Sequence, residues 1–200
     1  MTTVAAVLVC AGLAIGVSAL VALHVLPTGL SPVRNPVSQY GISAYGVGYR
    51  IQTAGFALAG VGAALGVTSL ADPSDSGPRN LVVACCALFA LSRLAIGSFP
   101  MDQPGGERTV TGRRHGLLAL SAFVAIAVAA SQLSSMLDGI GAHHAIAEAS
   151  SAIAALMLVC IVGMGVDRRS SGGHFGLVER AFYLCMAAWF VVVAVLLFTS

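Results

Sequence analysis

Six apolar stretches, each long enough to cross a bilayer as a helix, alternate with polar connections along this 200-residue chain. A helix needs about 20 mostly apolar residues to cross the roughly 30 Å hydrocarbon layer. The stretches run from Val4 to Leu26, Val47 to Leu70, Leu81 to Phe99, His115 to Leu137, His143 to Val166 and Gly176 to Phe198. Only the third holds a formal charge well inside, Arg93. The first reads as a span and not as a signal peptide, because it lacks a basic leading region and its apolar run is too long. The expected fold class is therefore all-α: a polytopic six-transmembrane-helix bundle filling residues 1–200 as one membrane domain, with no internal repeat.

Composition closes off the soluble alternatives. Charged residues make up 9% of the chain and hydrophobic ones 58%, where a soluble domain carries about 25% charged residues. All ten cations are arginine, and the net charge of +2 is too small and too scattered for a nucleic-acid footprint. Arg34, Arg50, Arg108, Arg113, Arg114, Arg168, Arg169 and Arg180 lie on or beside the connections after spans one, three and five; the opposite face offers Arg79. Short arginine-rich loops stay cytoplasmic. The expectation is a multi-pass protein of the cell membrane with both termini outside and the odd connections inside.

The odd connections also carry the unusual residues. The first, PTGLSPVRNPVSQYGISAYG from Pro27 to Gly46, has prolines and glycines that rule out a continuous helix. The third, Pro100 to Arg114, reads PMDQPGGERTVTGRR. The even connections, Ala71 to Asn80 and Asp138 to Ala142, are short and turn-rich. Gly12 with Gly16, and Gly62 with Gly66, have the four-residue spacing that lets helix backbones approach in lipid.

Polar groups at membrane depth are costly and gather in pairs or around wet cavities. On the proposed cytoplasmic side stand His24, Ser38, Tyr40, Arg50, Arg93, Asp102, His115, Glu179 and Arg180. Asp102 and His115 are the candidate catalytic pair, since a carboxylate and an imidazole can share acid and base roles once their loop folds back. The bland alternative pairs Asp102 with Arg113 or Arg114 and leaves His115 as an interfacial cap. Ser38, Tyr40, Arg50, Arg93, Glu179 and Arg180 are candidate substrate-binding residues. Arg93 either snorkels to the interface, pairs with Asp102 or Glu179, or grips a phosphate or carboxylate with its planar fork.

No metal and no cofactor is expected. Cys10, Cys85, Cys86, Cys160 and Cys185 sit within apolar stretches, without zinc or haem spacing. His143, His144 and Glu148 form no HExxH pattern and read as a solvated helix start. His174 lies in a Gly-Ser loop and is expected to be exposed. Tyr40, Tyr45 and Tyr49 suit either an interfacial belt or the wall of a pocket.

The stretches NPVSQYG (Asn35 to Gly41), IGSFPMD (Ile96 to Asp102), GRRH (Gly112 to His115) and GLVER (Gly176 to Arg180) resemble, in order and placement, an uncharacterised family of six-span bacterial and archaeal membrane proteins classed as a domain of unknown function. The resemblance implies a six-helix bundle with Ser38, Asp102, His115 and Arg180 as positions of interest. More distantly, the first connection is similar to that of GPI-anchor remodelling and autophagy-modulator membrane proteins, an analogy that points toward lipids. The histidine spacings of seven-span zinc amidases acting on ceramides are missing.

Three functions follow as expectations. The first is an intramembrane enzyme doing acid–base chemistry on a membrane lipid or isoprenoid, of which a membrane-bound terpene cyclase is one version, although the DxDD motif of soluble cyclases is absent. The second is a non-catalytic lipid-binding or assembly protein. The third is a small transporter, which would require a homodimer.

Overall fold

The computed structural model describes residues 1–70, 76–138, 143–170 and 172–200. Half of the connection 71–80 and most of the connection 138–142 fall outside them, so the expectations for 71–75 and 139–142 lie outside the described residues. Six long helices follow one another: α1 (Thr2–Val25), α2 (Gly46–Thr68), α3 (Ser76–Ile96), α4 (Val110–Leu137), α5 (His144–Ser170) and α6 (Phe175–Thr199). Each is long and apolar enough to cross a membrane. A short 3₁₀ turn, Val37–Ile42, interrupts the first connection. The described residues contain no strand, and the fold is an all-α six-helix membrane bundle.

Element ends differ from the hydropathy limits for physical reasons. The second half of the expected linker 71–80 is already helical, because Pro78 stands in the first turn of α3, where its missing N–H costs nothing. At the other end α3 stops at Ile96 instead of Phe99. The fourth helix begins at Val110, five residues before the expected His115, because the Thr109 side chain accepts the amide of Gly112 as an N-cap. Arg113, Arg114, Arg168 and Arg169 consequently sit on helix ends and not in loops. Hydropathy finds the stretch that lipid covers; helices continue past it into the headgroups.

The helices form a closed ring. Each packs chiefly on its neighbours in sequence, and α1 returns to close against α6. The seam between α1 and α2 is built from small residues. A β-carbon on Gly12 would fall on the backbone of Ala59 and Gly55, and one on Gly62 would meet the backbone of Val9 and Ala5. Such close approach supplies the dispersion contacts that hold helices together where the solvent is itself apolar. Gly16 and Gly66 are equally tight but face side chains, those of Phe56 and Leu197.

One half of the interior is solid. Trp189 and Phe190 are buried with Phe89, and the Trp189 indole N–H donates to Ser150 Oγ at 2.9 Å, which donates in turn to the carbonyl of Ala130 at 2.7 Å. These bonds tie α4, α5 and α6 with no polar group left over. The other half, toward the odd connections, is hollow.

Candidate functional site

Four local devices build the hollow end. Arg180 fastens the first connection to α6: its Nε donates to His24 Nε2 at 2.6 Å, its Nη1 donates to the carbonyl of Asn35 at 2.9 Å, and its Nη2 donates to the Tyr40 hydroxyl at 3.3 Å. His24 can accept because its Nδ1–H is committed to the Leu20 carbonyl at 2.6 Å. Gly176 permits the fit, since a β-carbon there would strike the carbonyls of Pro32 and Asn35. The amide of Leu177 donates to the Val33 carbonyl at 2.9 Å, adding a backbone tie.

Glu179, one residue before this clamp, is buried, and its Oε2 accepts the amide of Val37 at 2.7 Å, capping the 3₁₀ turn. The turn presents Ser38, whose hydroxyl donates to the Met101 thioether at 3.2 Å. That contact joins the first connection to the third. In the third connection, Asp102 accepts the Thr109 hydroxyl at 2.6 Å and the Thr109 amide at 3.2 Å. A β-carbon on Gly112 would fall on the Asp102 carboxylate. The negative charge thus sits at the N-terminus of α4, where the helix dipole favours it.

Arg93 is 2% exposed, so it does not snorkel. It pairs with no carboxylate either. Nη1 donates to the Tyr183 hydroxyl at 3.1 Å, Nη2 donates to Gln52 Oε1 at 3.0 Å, and the guanidinium lies over the rings of Phe56 and Tyr183 at 5.7 and 5.5 Å. Its Nε–H has no partner. Among the described residues, ion-pair contacts join His144 to Glu148 and His174 to Asp167, and Glu179 and Arg93 stay beyond ion-pair reach of each other.

His115 is 5% exposed and sits inside the bundle, not at an interfacial cap. Its Nδ1 is 2.7 Å from the Phe99 carbonyl. A carbonyl only accepts, so Nδ1 carries a proton, and in the neutral form of the ring Nε2 is the acceptor. Nε2 is buried and without a partner.

These groups surround a cavity of about 460 Å³ among α2, α3, α4, α5 and α6. Ser38, Arg93, Asp102, His115, Glu179 and Tyr183, with Asp167 and Arg168 from the end of α5, form its polar wall, while Ala119, Leu120, Phe123, Ile161 and Met164 belong to its apolar wall. At 1.5 Å per residue, His115 and Glu179 lie roughly 6–8 Å inside the starts of their helices, and Phe123 about 20 Å. The cavity is therefore polar at headgroup depth and apolar toward the membrane centre. Gly116 and Gly165 line it with empty space where their side chains would be. Leu120 and Gly165, exposed on α4 and α5, bring its rim to the outer surface of the bundle at acyl-chain depth.

The cavity thus collects Ser38, Arg93, Asp102, His115 and Glu179. Tyr40 and Arg180 lie outside its wall, spent on the clamp. Arg50 is exposed and lines a separate hollow. Asp102 and His115 share the cavity but bond to Thr109 and to Phe99, not to each other. Tyr49 takes its place in the pocket wall, and Gln52 and Tyr183, which the sequence reading does not single out, hold Arg93 there. A glutamine within an apolar stretch is a signal that could have found Gln52; nothing in the sequence marks Gly116 or Gly165 as cavity wall.

Fold and site define a class: a multi-pass helical membrane protein whose ring of helices encloses a polar-walled cavity at one end. Within that class, the family described as "Protein of unknown function (DUF998)" matches residues 9–196, and the chain belongs to it. No curated protein and no solved structure matches the chain.

Proposed function

We propose that the chain is an intramembrane enzyme that admits a lipophilic molecule with a polar head into the cavity, where His115 Nε2 exchanges a proton with it. The carrying observation is that His115, a residue of the cavity wall, has a buried Nε2 without a hydrogen-bond partner. Leaving a buried acceptor unsatisfied costs about 1–3 kcal/mol, a cost explained if the atom exists to meet a ligand. The gradient from Arg93 and Glu179 to Leu120 and Phe123 matches an amphiphile lying head-outward. The guanidinium of Arg93 positions the head, and Glu179, also in the lining, is a second polar contact. In this reading the odd connections are cytoplasmic in the cell membrane, in keeping with their arginines.

A lipid fits better than an isoprenoid undergoing cyclisation. Carbocations require an electron-rich wall, and Arg93 holds a fixed positive charge there. Two like charges about 8 Å apart repel by roughly 2 kcal/mol at an effective dielectric near 20. The terpene-cyclase version is correspondingly weaker.

The test is turnover in vesicles of total polar lipid, followed by mass spectrometry of the lipid pool. The wild-type chain should convert one lipid class, and His115→Gln should lose conversion by at least 100-fold while still retaining lipid. Unchanged conversion in His115→Gln refutes the acid–base role. A non-catalytic lipid binder is the second reading, favoured by the engagement of Asp102 with Thr109 instead of His115. It predicts retained lipid and no conversion by either protein.

A further inference from the structure

A second hollow adjoins the first and has His115 in its lining as well. It measures about 650 Å³ and is lined by Gly41, Arg50, Gly97, Ser98 and Pro100 together with Ser38, Tyr49, Ile96, Met101 and His115, which it shares with the first cavity. Its residues come from the 3₁₀ turn, the start of α2, the end of α3, the third connection and the start of α4, all at the end of the bundle where the odd connections meet. Arg50, Ser98 and Pro100 at its rim are exposed. The two hollows differ in character. The first runs down among apolar side chains toward the acyl region; the second has no such extension and stays at the polar end.

Its charge is one-sided. Arg50 is the cation in the lining, no aspartate or glutamate joins it, and the Arg50 side chain has no hydrogen-bond or ion-pair partner among the described residues. The Ser38 and Ser98 hydroxyls add polar groups to the wall. Ser38 spends its proton on a thioether, a weak acceptor that an oxygen ligand readily displaces. Behind them, 5% exposed and unpartnered at Nε2, stands His115. A planar guanidinium facing a polar hollow without a counter-charge suits an oxyanion, which it can hold through paired hydrogen bonds.

We propose that this second hollow is a binding site for the oxyanion group of a small water-soluble molecule, a phosphate or a carboxylate, held by Arg50 and bordering His115, which also lines the lipid cavity. The site gives the protein two entrances, one from the bilayer and one from the aqueous face, that converge on a single imidazole. The part that concerns a joint reaction rests on the reading of His115 above; the oxyanion site stands on the second hollow alone.

The test uses inorganic phosphate titrated into the full chain in nanodiscs of zwitterionic lipid, read by calorimetry. Wild-type protein should show saturable binding that is at least tenfold weaker in Arg50→Gln and partly kept in Arg50→Lys. Gly116→Leu, which fills the first cavity, should bind phosphate as the wild type does. Should Arg50→Gln not fold, Gly97→Val crowds the same hollow from the end of α3 and should weaken binding equally. Absence of saturable binding to wild type, or equal binding by Arg50→Gln, overturns the proposal. Phosphate binding by a chain that retains no lipid would leave this site standing and remove the lipid reading.

Discussion

Thr109 donates its hydroxyl to Asp102 at 2.6 Å, and the backbone nitrogen of the same threonine points at the same carboxylate from 3.2 Å. The residue that looks most catalytic in the sequence therefore helps to start α4. Side-chain caps contribute roughly 0.5–2 kcal/mol each. Asp102→Ala and Thr109→Ala should each destabilise the fold by about 1 kcal/mol, and the double variant by less than the sum, because the two residues form one unit. Unfolding in mixed micelles measures this. Additive effects, or an unchanged midpoint in Asp102→Ala, would free Asp102 from its capping role.

The Arg180 clamp makes a sharper prediction. One guanidinium bonds His24, Asn35, Gly176 and Tyr40 at once. Lysine carries the charge without the planar fork, so Arg180→Lys should lose about 2 kcal/mol of stability, with bonds to a charged group worth ~1.5–3 kcal/mol. Proteolysis within 27–36 should speed up in parallel. Wild-type stability in the lysine variant would show that charge alone suffices.

Arg93 allows charge and fold to be separated. Replacing a whole buried ion pair by apolar residues is often neutral or stabilising, whereas removing one member of a bonded set strands the others. Arg93→Met strands the buried Gln52 Oε1 and Tyr183 hydroxyl, so the unfolding free energy should fall by about 1–3 kcal/mol while the fold is kept. Retention of an anionic lipid should fall at least tenfold. Loss of folding instead would make Arg93 a structural residue.

Glycines divide in the same way. Gly12→Leu should break the α1–α2 seam, because its β-carbon alone already falls on the Ala59 backbone. Gly116→Ala meets open space and should be neutral or stabilising by up to ~1 kcal/mol from helix propensity. Thermal unfolding of both variants side by side checks the contrast; equal losses would contradict the packing described.

How much was legible in the sequence depends on the kind of signal. Spans and the gathering of odd connections follow from hydropathy and arginine placement, which report directly on lipid. The glycine seam was visible in Gly12 and Gly62 because close packing in lipid demands small residues at helical spacing. Burial of Arg93 was not decidable from depth alone, since a long side chain can reach either way until Gln52 and Tyr183 are seen to hold it. The pairing of Asp102 with His115 failed as a direct contact because a threonine seven residues on offers the carboxylate a nearer donor. Tyr40 and Arg180 have the composition of a binding site, yet they satisfy each other. Cavity walls made by absence, at Gly116 and Gly165, leave no trace in a single sequence.

The central claim is that the 460 Å³ cavity holds an amphiphile. Native mass spectrometry of gently extracted wild type and Gly116→Leu tests it most directly, with unfolding midpoints measured alongside. Wild type should carry one bound amphiphile, and Gly116→Leu should lose it with its midpoint kept. Equal lipid occupancy in the two proteins, or a bare wild type, would contradict the account.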